Sequence, residues 1–309
     1  MEKKILLVVD GSIHSTHAVD YAVRISSVVD SLTYTLFHVQ PTISQYLLDE
    51  AETDLKAKAD LKKLLRKNDQ AARGILETHK ARMVRMGISE KRIQTVTRQK
   101  VLGICKDILD SAQQGLYDAI LIGRRGLSRL ERTFMGSTTA SLVEHSSVIP
   151  VWVVDGDVTS MKVMLAVDGS EPSLRAVDHL GFMVGKNDKI KVTLFHVTPT
   201  LRDYCVIDFN AGESDAGQAV ARGAKRCIDH FYAHAQHKFT EGGLQENQIE
   251  LKVVKRTMDV GKAIVNEARK GEYGTVVVGR RGINGAFFMG SISRYVIDKI
   301  SGRAVWVVC

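Results

Sequence analysis

The 309-residue chain contains most of itself twice. Ile5-Leu-Leu-Val-Val-Asp10-Gly-Ser12 recurs as Val163-Met-Leu-Ala-Val-Asp168-Gly-Ser170, and Tyr34-Thr-Leu-Phe-His-Val39 as Val192-Thr-Leu-Phe-His-Val197, each 158 residues on. Ile120-Leu-Ile-Gly-Arg-Arg-Gly126 returns as Val276-Val-Val-Gly-Arg-Arg-Gly282 after 156 residues. Phe134-Met-Gly-Ser137 and Val151-Trp-Val-Val154 return after 154 residues, as Phe288-Met-Gly-Ser291 and Val305-Trp-Val-Val308. Such a period is too long for a solenoid and predicts two duplicated domains, residues 1–155 and 160–309, each large enough to bury its own core.

Within a copy, short apolar runs alternate with helical periodicity. Ile5–Val9, Thr33–Val39, Ile93–Thr97, Asp118–Gly123 and Val148–Val154 read as strands, the first a continuous apolar run suited to burial on both faces. After the first strand, Ser12 suits a helix N-cap, with Ala18, Tyr21, Ala22 and Ile25 on one face; in the second copy Pro172 sits where a helix tolerates proline. Residues 45–85 are long, charged and helix-prone. The matching stretch of the second copy shows an apolar stripe of Val220, Ala224, Cys227, Ile228, Phe231, Ala235 and Phe239. Helices over Val101–Gln114 and Gly261–Lys270 each end at a glycine, Gly115 or Gly271, suited to a C-cap. The order β-α-β-α-β-α-β-α-β predicts an α/β fold: two tandem doubly wound domains, each a five-stranded parallel sheet flanked by helices.

In such sheets a ligand lies beyond the carboxyl ends of the strands, where the strand order reverses. Asp10 closes strand one. Strand four ends in Gly123-Arg-Arg-Gly126, followed nine residues later by Gly136-Ser137 at a helix start. Glycines let backbone amides approach a phosphate, and a helix N-terminus adds unpaired N–H groups and a positive dipole end. The hydroxyls of Ser137, Thr138 and Thr139 suit phosphate oxygens, the Asp10 carboxylate suits ribose hydroxyls or a cation, and Val39 at the end of strand two offers backbone contacts to a base. Arg125, like Arg124, Arg280 and Arg281, is suited to clamping phosphate, to facing solvent or to bridging to a neighbouring domain. Simpler roles stand beside these: Asp10 and Asp168 also suit capping of the next turn, the glycines tight strand ends, and His38 and His196 packed structural histidines.

These residues resemble the universal stress protein family in its tandem two-domain form. The family's Gly-x2-Gly-x9-Gly-Ser/Thr motif stands here as Gly123, Gly126, Gly136 and Ser137, with the early aspartate at Asp10, and the resemblance covers essentially the whole chain twice. It implies a Rossmann-like stress or signalling module that holds ATP or another adenine nucleotide, with or without Mg²⁺. It also implies pairing through the last strand, between the two copies or in a homodimer. The second copy keeps Asp168, Val197, Gly279, Gly282, Gly290, Ser291 and Ser293, but only seven residues separate Gly282 from Gly290. Its loop reaches differently, so binding is expected mainly in the first domain.

Other features narrow the function. The net charge is +8, from 22 basic and 18 acidic residues up to Asp155 and 21 and 17 after it; this even mixture does not favour nucleic acid as a partner. No apolar run is long enough to span a bilayer, no secretory pattern opens the chain, and four separated cysteines suit free thiols in a reducing cytoplasm. The i,i+3 pair His14 and His17 has no companion ligand for a metal. The chain has no Walker phosphate loop, no dinucleotide fingerprint and no nucleophile elbow. With no obvious general base beside the glycine loop apart from Asp10, the expectation is binding and at most slow hydrolysis. A slow Mg²⁺-dependent hydrolase or phosphotransferase and a nucleotide-free dimeric scaffold are the alternatives.

Overall fold

Strand β1 (Lys3–Val8) pairs in parallel with β2 (Leu32–Gln40) on one side and β4 (Ala119–Gly123) on the other. β3 (Ile93–Gln99) adds to β2 and β5 (Val151–Val154) to β4, giving the order β3-β2-β1-β4-β5. The second copy repeats it with β6 (Val163–Val167), β7 (Val192–Val197), β8 (Ile249–Val254), β9 (Thr275–Gly279) and β10 (Ala304–Val308), in the order β8-β7-β6-β9-β10. The computed structural model describes residues 2–126, 135–185, 187–198, 215–254, 259–280 and 289–309, with side chains left out at 215–221 and 224. The chain divides into two compact units, one of Met1–Val23 with Ser31–Asp155, the other of Arg24–Asp30 with Gly156–Cys309. The α/β architecture of tandem parallel sheets with flanking helices is the one the sequence predicts.

The helices of the first copy are α1 (Ile13–Ile25), α2 (Gln45–Thr53), α3 (Leu55–Arg85), α4 (Ile104–Gln114) and α5 (Ser137–His145). Ser12 caps α1, its Oγ accepting the Ser15 amide at 3.2 Å, and Ala18, Tyr21, Ala22 and Ile25 are all buried. The long helical stretch after β2 is broken at Asp54. Its backbone is extended (φ −117°, ψ 123°), and its carboxylate accepts the Lys56 amide at 2.9 Å, so one aspartate ends α2 and caps α3. α4 starts at Ile104, three residues later than expected, because the Asp107 carboxylate gathers the amides of Val101, Leu102 and Gly103 into a turn.

The second unit has α6 (Glu171–Val184), α7 (Asp215–Glu241), α8 (Val260–Lys270) and α9 (Ser291–Lys299). Ser170 caps α6 with Pro172 in its first turn, and α7 buries Ile228, Phe231, Ala235 and Phe239 as its stripe predicts. Cys227 is exposed, contrary to that stripe, because it lies at the edge of the buried face. Val220 and Ala224 lie outside the described side chains.

Gly115 and Gly271 do occupy the C-caps of α4 and α8, but in right-handed conformation (φ −81° for both). The left-handed residues are their successors, Leu116 (φ 52°) and Glu272 (φ 56°). Glycine stands at the caps for lack of room: a Cβ there would lie 2.2 Å from Cε2 of Tyr117 or of Tyr273. Those rings close each copy alike, Tyr117 donating to Thr35 Oγ1 at 2.9 Å and Tyr273 to Thr193 Oγ1 at 3.0 Å.

Candidate functional site

The strand order of the first unit reverses between β1 and β4, and both strands leave the same edge, with Val8 opposite Ile122. Asp10 follows β1, and Arg124, Arg125 and Gly126 follow β4. The two segments meet. A Cβ on Gly126 would stand 2.8 Å from Asp10 Oδ2, so a bare backbone position and a carboxylate oxygen, 116 residues apart in sequence, face each other across the crevice.

Asp10 is held from several sides. Its Oδ1 accepts the Ser12 amide at 3.0 Å and the Ser15 hydroxyl at 2.7 Å, while its own amide donates to Ser15 Oγ at 2.9 Å. Thus the turn-capping role falls to Oδ1, and Oδ2 is the oxygen turned towards Gly126. The preceding backbone is fixed by two histidines. His38 Nδ1 lies 2.8 Å from the Val9 carbonyl and His79 Nε2 lies 3.0 Å from the Asp10 carbonyl. A carbonyl only accepts, so each of those nitrogens carries the proton.

Gly123 and Gly126 have different roles. A Cβ on Gly123 would lie 2.6 Å from the His14 carbonyl oxygen, so this glycine lets the end of β4 pass under the first turn of α1. Arg124 is buried with its guanidinium 3.3 Å from Asp155, which turns it into the protein and away from the phosphate-clamp role. Arg125 is half-buried beside His14; burial and then the Arg125 charge hold the His14 imidazole below its ordinary value. Val39 is half-buried at the end of β2.

Gly136 is the N-cap of α5, its amide bonded to the Arg124 carbonyl at 2.9 Å, and no side chain caps the helix. The first-turn amides of Ser137, Thr138 and Thr139 therefore have no intrahelical acceptor. Ser137 is exposed and Thr138 half-buried. Thr139 is buried, and its hydroxyl proton goes to the Gly123 carbonyl at 2.9 Å. Its side chain ties α5 to β4 and is committed as a donor there, which departs from the phosphate-donor role expected of it.

Beside Asp10, a cavity of about 430 Å³ is lined by Gly11, Thr16, Ala71, Gly74, Ile75, Thr78 and His79. It exists because α3 presents small residues to the turn after β1, and nothing lies within 4 Å of where a Gly11 Cβ would be.

The second unit repeats the frame and alters the edge. Asp168 Oδ1 accepts the Ser170 amide at 3.0 Å and the hydroxyls of Ser170 and Ser173 at 2.5 and 2.6 Å. His196 Nδ1 meets the Val167 carbonyl at 2.9 Å, and burial leads in holding that ring below its ordinary value. Gly290 caps α9 and bonds to the Arg280 carbonyl, Ser291 is exposed, and Ser293 donates to the Gly279 carbonyl at 2.6 Å, as Thr139 does to Gly123. Val197 is buried. Gly282, Arg281, Phe134, Phe288 and Cys205 lie outside the described residues.

A family model, that of the universal stress protein family, matches residues 1–155 and again 159–308. The chain belongs to the universal stress protein family. A universal stress protein of Mycolicibacterium smegmatis is 27% identical over 312 residues, covering 96% of this chain and 94% of the relative. The crystal structure of a universal stress protein from Archaeoglobus fulgidus matches with a TM-score of 0.65 at 19% identity, covering 99% of this chain and 97% of that one. A Pseudomonas aeruginosa protein matches with a TM-score of 0.54 at 18% identity, covering 99% and 93%. At these identities the structures establish the fold. Among the described residues no helix is long and apolar enough to cross a membrane, and no group of three His, Cys, Asp or Glu is placed to hold a metal ion.

Two supports of this universal stress protein site escaped sequence reasoning. Ser15 is visible only as a helix residue, and its bonds to Asp10 depend on the turn geometry. His79 sits near the end of a 31-residue helix, with nothing local to single it out. Counting back from the matching left-handed glycines Gly87 (φ 103°) and Gly243 (φ 105°), its counterpart is Ala235, and those of Ala71, Gly74 and Thr78 are Cys227, His230 and His234. The second copy is more crowded at one point: Gly169 (φ 81°) has Cys227 Sγ 3.3 Å from its Cβ position, where Gly11 faces open space, while Cys227, His230 and His234 are themselves exposed. The internal comparison of the copies was the signal available in the sequence.

Proposed function

We propose that the first unit binds an adenine nucleotide, ATP foremost, in the crevice between Asp10 and the Gly123–Gly126 turn. The observation that carries this reading is the 2.8 Å approach of the Gly126 Cβ position to Asp10 Oδ2, which leaves a carboxylate oxygen beside a backbone that a ligand can approach closely. The uncapped amides of Ser137, Thr138 and Thr139 and the hydroxyls of Ser137 and Thr138 supply phosphate donors, Arg125 adds positive charge, and Asp10 Oδ2 accepts from ribose or helps hold Mg²⁺. Val39 offers its backbone to the base. Gly123 and Gly136 fix the approach of the loop to α1 and α5. In this reading residues 1–155 and 160–309 are two domains of one stress-signalling module that resides in the cytoplasm. Nucleotide binding changes the surface around Gly126, and chemistry is slow or absent.

The second domain, with Asp168, Val197, Gly279, Gly282, Gly290, Ser291 and Ser293, binds more weakly. Cys227 Sγ crowds the turn at Gly169, and Asp168 Oδ1 already takes three donors. Isothermal titration of the whole chain with ATP, AMP and a non-nucleotide control tests this. Saturable ATP binding, weakened at least tenfold by Gly126→Val and little affected by Gly290→Val, is expected. Heatless titration of the wild type, or equal loss from either variant, would count against it.

A further inference from the structure

The helix pair α2–α3 carries opposite charges on two adjacent, unpartnered faces. On α2, Ala51 turns inward while Asp49, Glu50 and Glu52 are exposed, as is Asp54 at the junction. In the first half of α3 the half-buried stripe is Ala57, Leu61 and Leu65; Lys56, Lys58, Lys62, Lys63, Arg66 and Lys67 are exposed, with Asp60 the one acid among them. Among the described residues, none of these eleven charges forms an ion pair within the chain: the nearest pair on α3 is Arg73 with Asp69. Two large apolar side chains stand out beside them, Tyr46 at 73% exposure and Leu55 at 86%.

An acidic helix beside a basic helix is self-complementary. A two-fold axis lying in the plane of such a face sets the acidic half of one copy over the basic half of the other, and the reverse. We infer that the α2–α3 face is a contact surface for a second copy of this chain, with the Asp49–Glu52 cluster of one copy against Lys62, Lys63 and Arg66 of the other. Tyr46 and Leu55 supply the apolar contact. A purely basic face would suit any polyanion; the acidic cluster alongside it repels a phosphate-rich surface and attracts its own copy. A face two helices wide and about 15 Å long offers ~300 Å² per copy, well under the roughly 800 Å² of a stable standard interface. The pairing is therefore weak, charge-driven and salt-sensitive, and it adds to any association made elsewhere on the chain.

The test is sedimentation of the full chain over a wide concentration range at low and high salt. Two charge-reversed triples are compared with the wild type: Asp49→Lys with Glu50→Lys and Glu52→Lys, and Lys62→Glu with Lys63→Glu and Arg66→Glu. All six positions are exposed, and unchanged circular dichroism and melting confirm folding. The wild type should gain a doubling of mass with concentration at low salt, weakened at least about tenfold at high salt by screening. Each triple should lose that doubling, and an equimolar mixture of the two should regain it. No concentration dependence in the wild type, doubling retained by the triples, or a mixture that stays apart overturns the inference. So does wild type that co-sediments with phosphatidylserine vesicles through the three cations while showing no doubling.

Discussion

Gly126→Ala isolates the contact on which the crevice rests. The added methyl carbon would stand 2.8 Å from Asp10 Oδ2, about 0.6 Å inside ordinary contact. The carboxylate cannot simply swing away, because Oδ1 is held by the Ser12 amide at 3.0 Å and the Ser15 hydroxyl at 2.7 Å. Either the backbone at 126 retreats or Asp10 gives up one of those bonds, and a hydrogen bond to a charged group contributes about 1.5–3 kcal/mol. For a body of this size that lowers the melting temperature by roughly 3–10 °C. If Asp10 also contacts the nucleotide, affinity falls by about ten- to a hundredfold. The assay is denaturation followed through Trp152, with Trp306→Phe removing the second indole, in parallel with ATP titration. Two neighbours calibrate it. Gly123→Ala drives its methyl to 2.6 Å from the His14 carbonyl oxygen, which is backbone within a helix and yields less, so its stability loss should be the larger. Gly11→Ala meets nothing within 4 Å and should change stability by less than about 0.5 kcal/mol. A Gly126→Ala protein that melts and titrates like the wild type would refute the reasoning.

Thr139→Val keeps the shape of the side chain and removes the donor to the Gly123 carbonyl; a loss of about 1–3 kcal/mol in urea denaturation is expected, recovered by Thr139→Ser. Burial alone would push the Asp107 carboxyl up, but the amides of Leu102, Val101 and Gly103 and the charge of Arg98 outweigh it and hold the group below its ordinary value. Its stabilisation is therefore present above the unfolded value of about 4 and lost as pH falls through the lower folded value, so the stability gap between wild type and Asp107→Asn, measured in urea at pH 7 and again at pH 3, should shrink at the acid end. Gly271→Ala sets a methyl 2.2 Å from the Tyr273 ring, which is anchored to Thr193; the melting temperature should fall, and Tyr273→Ala in the same chain should relieve the clash while lowering stability for its own reason.

Much of this was readable in order along the chain because the signals are local. A buried parallel strand is a continuous apolar run, Ser12 and Ser170 mark helix starts, and glycines mark ends, so the alternation of elements and the two copies follow from neighbours a few residues apart. The same locality explains the details that were not readable. Residues 45–85 have helical composition throughout, and the break comes at Asp54, whose extended backbone ends one helix and whose side chain takes the Lys56 amide of the next. Gly115 and Gly271 look like left-handed caps, yet the left-handed conformation passes to Leu116 and Glu272 because a ring from further along the chain needs the glycine's empty side.

By itself the sequence determined that two doubly wound units form, and that Asp10 and the glycine turn lie on the same edge of their sheet, since the carboxyl ends of parallel strands share one side. Tertiary structure alone decided which oxygen of Asp10 faces Gly126, that Thr139 and Ser293 donate to strand-end carbonyls, that His79 steadies Asp10 from α3, and that Cys227 stands against Gly169 where the matching Gly11 has open space. Those outcomes turn on separations of a few tenths of an ångström between segments up to 116 residues apart. Hydrophobic periodicity sets which face of an element is buried, but the crossing of one element over another sets which atoms meet.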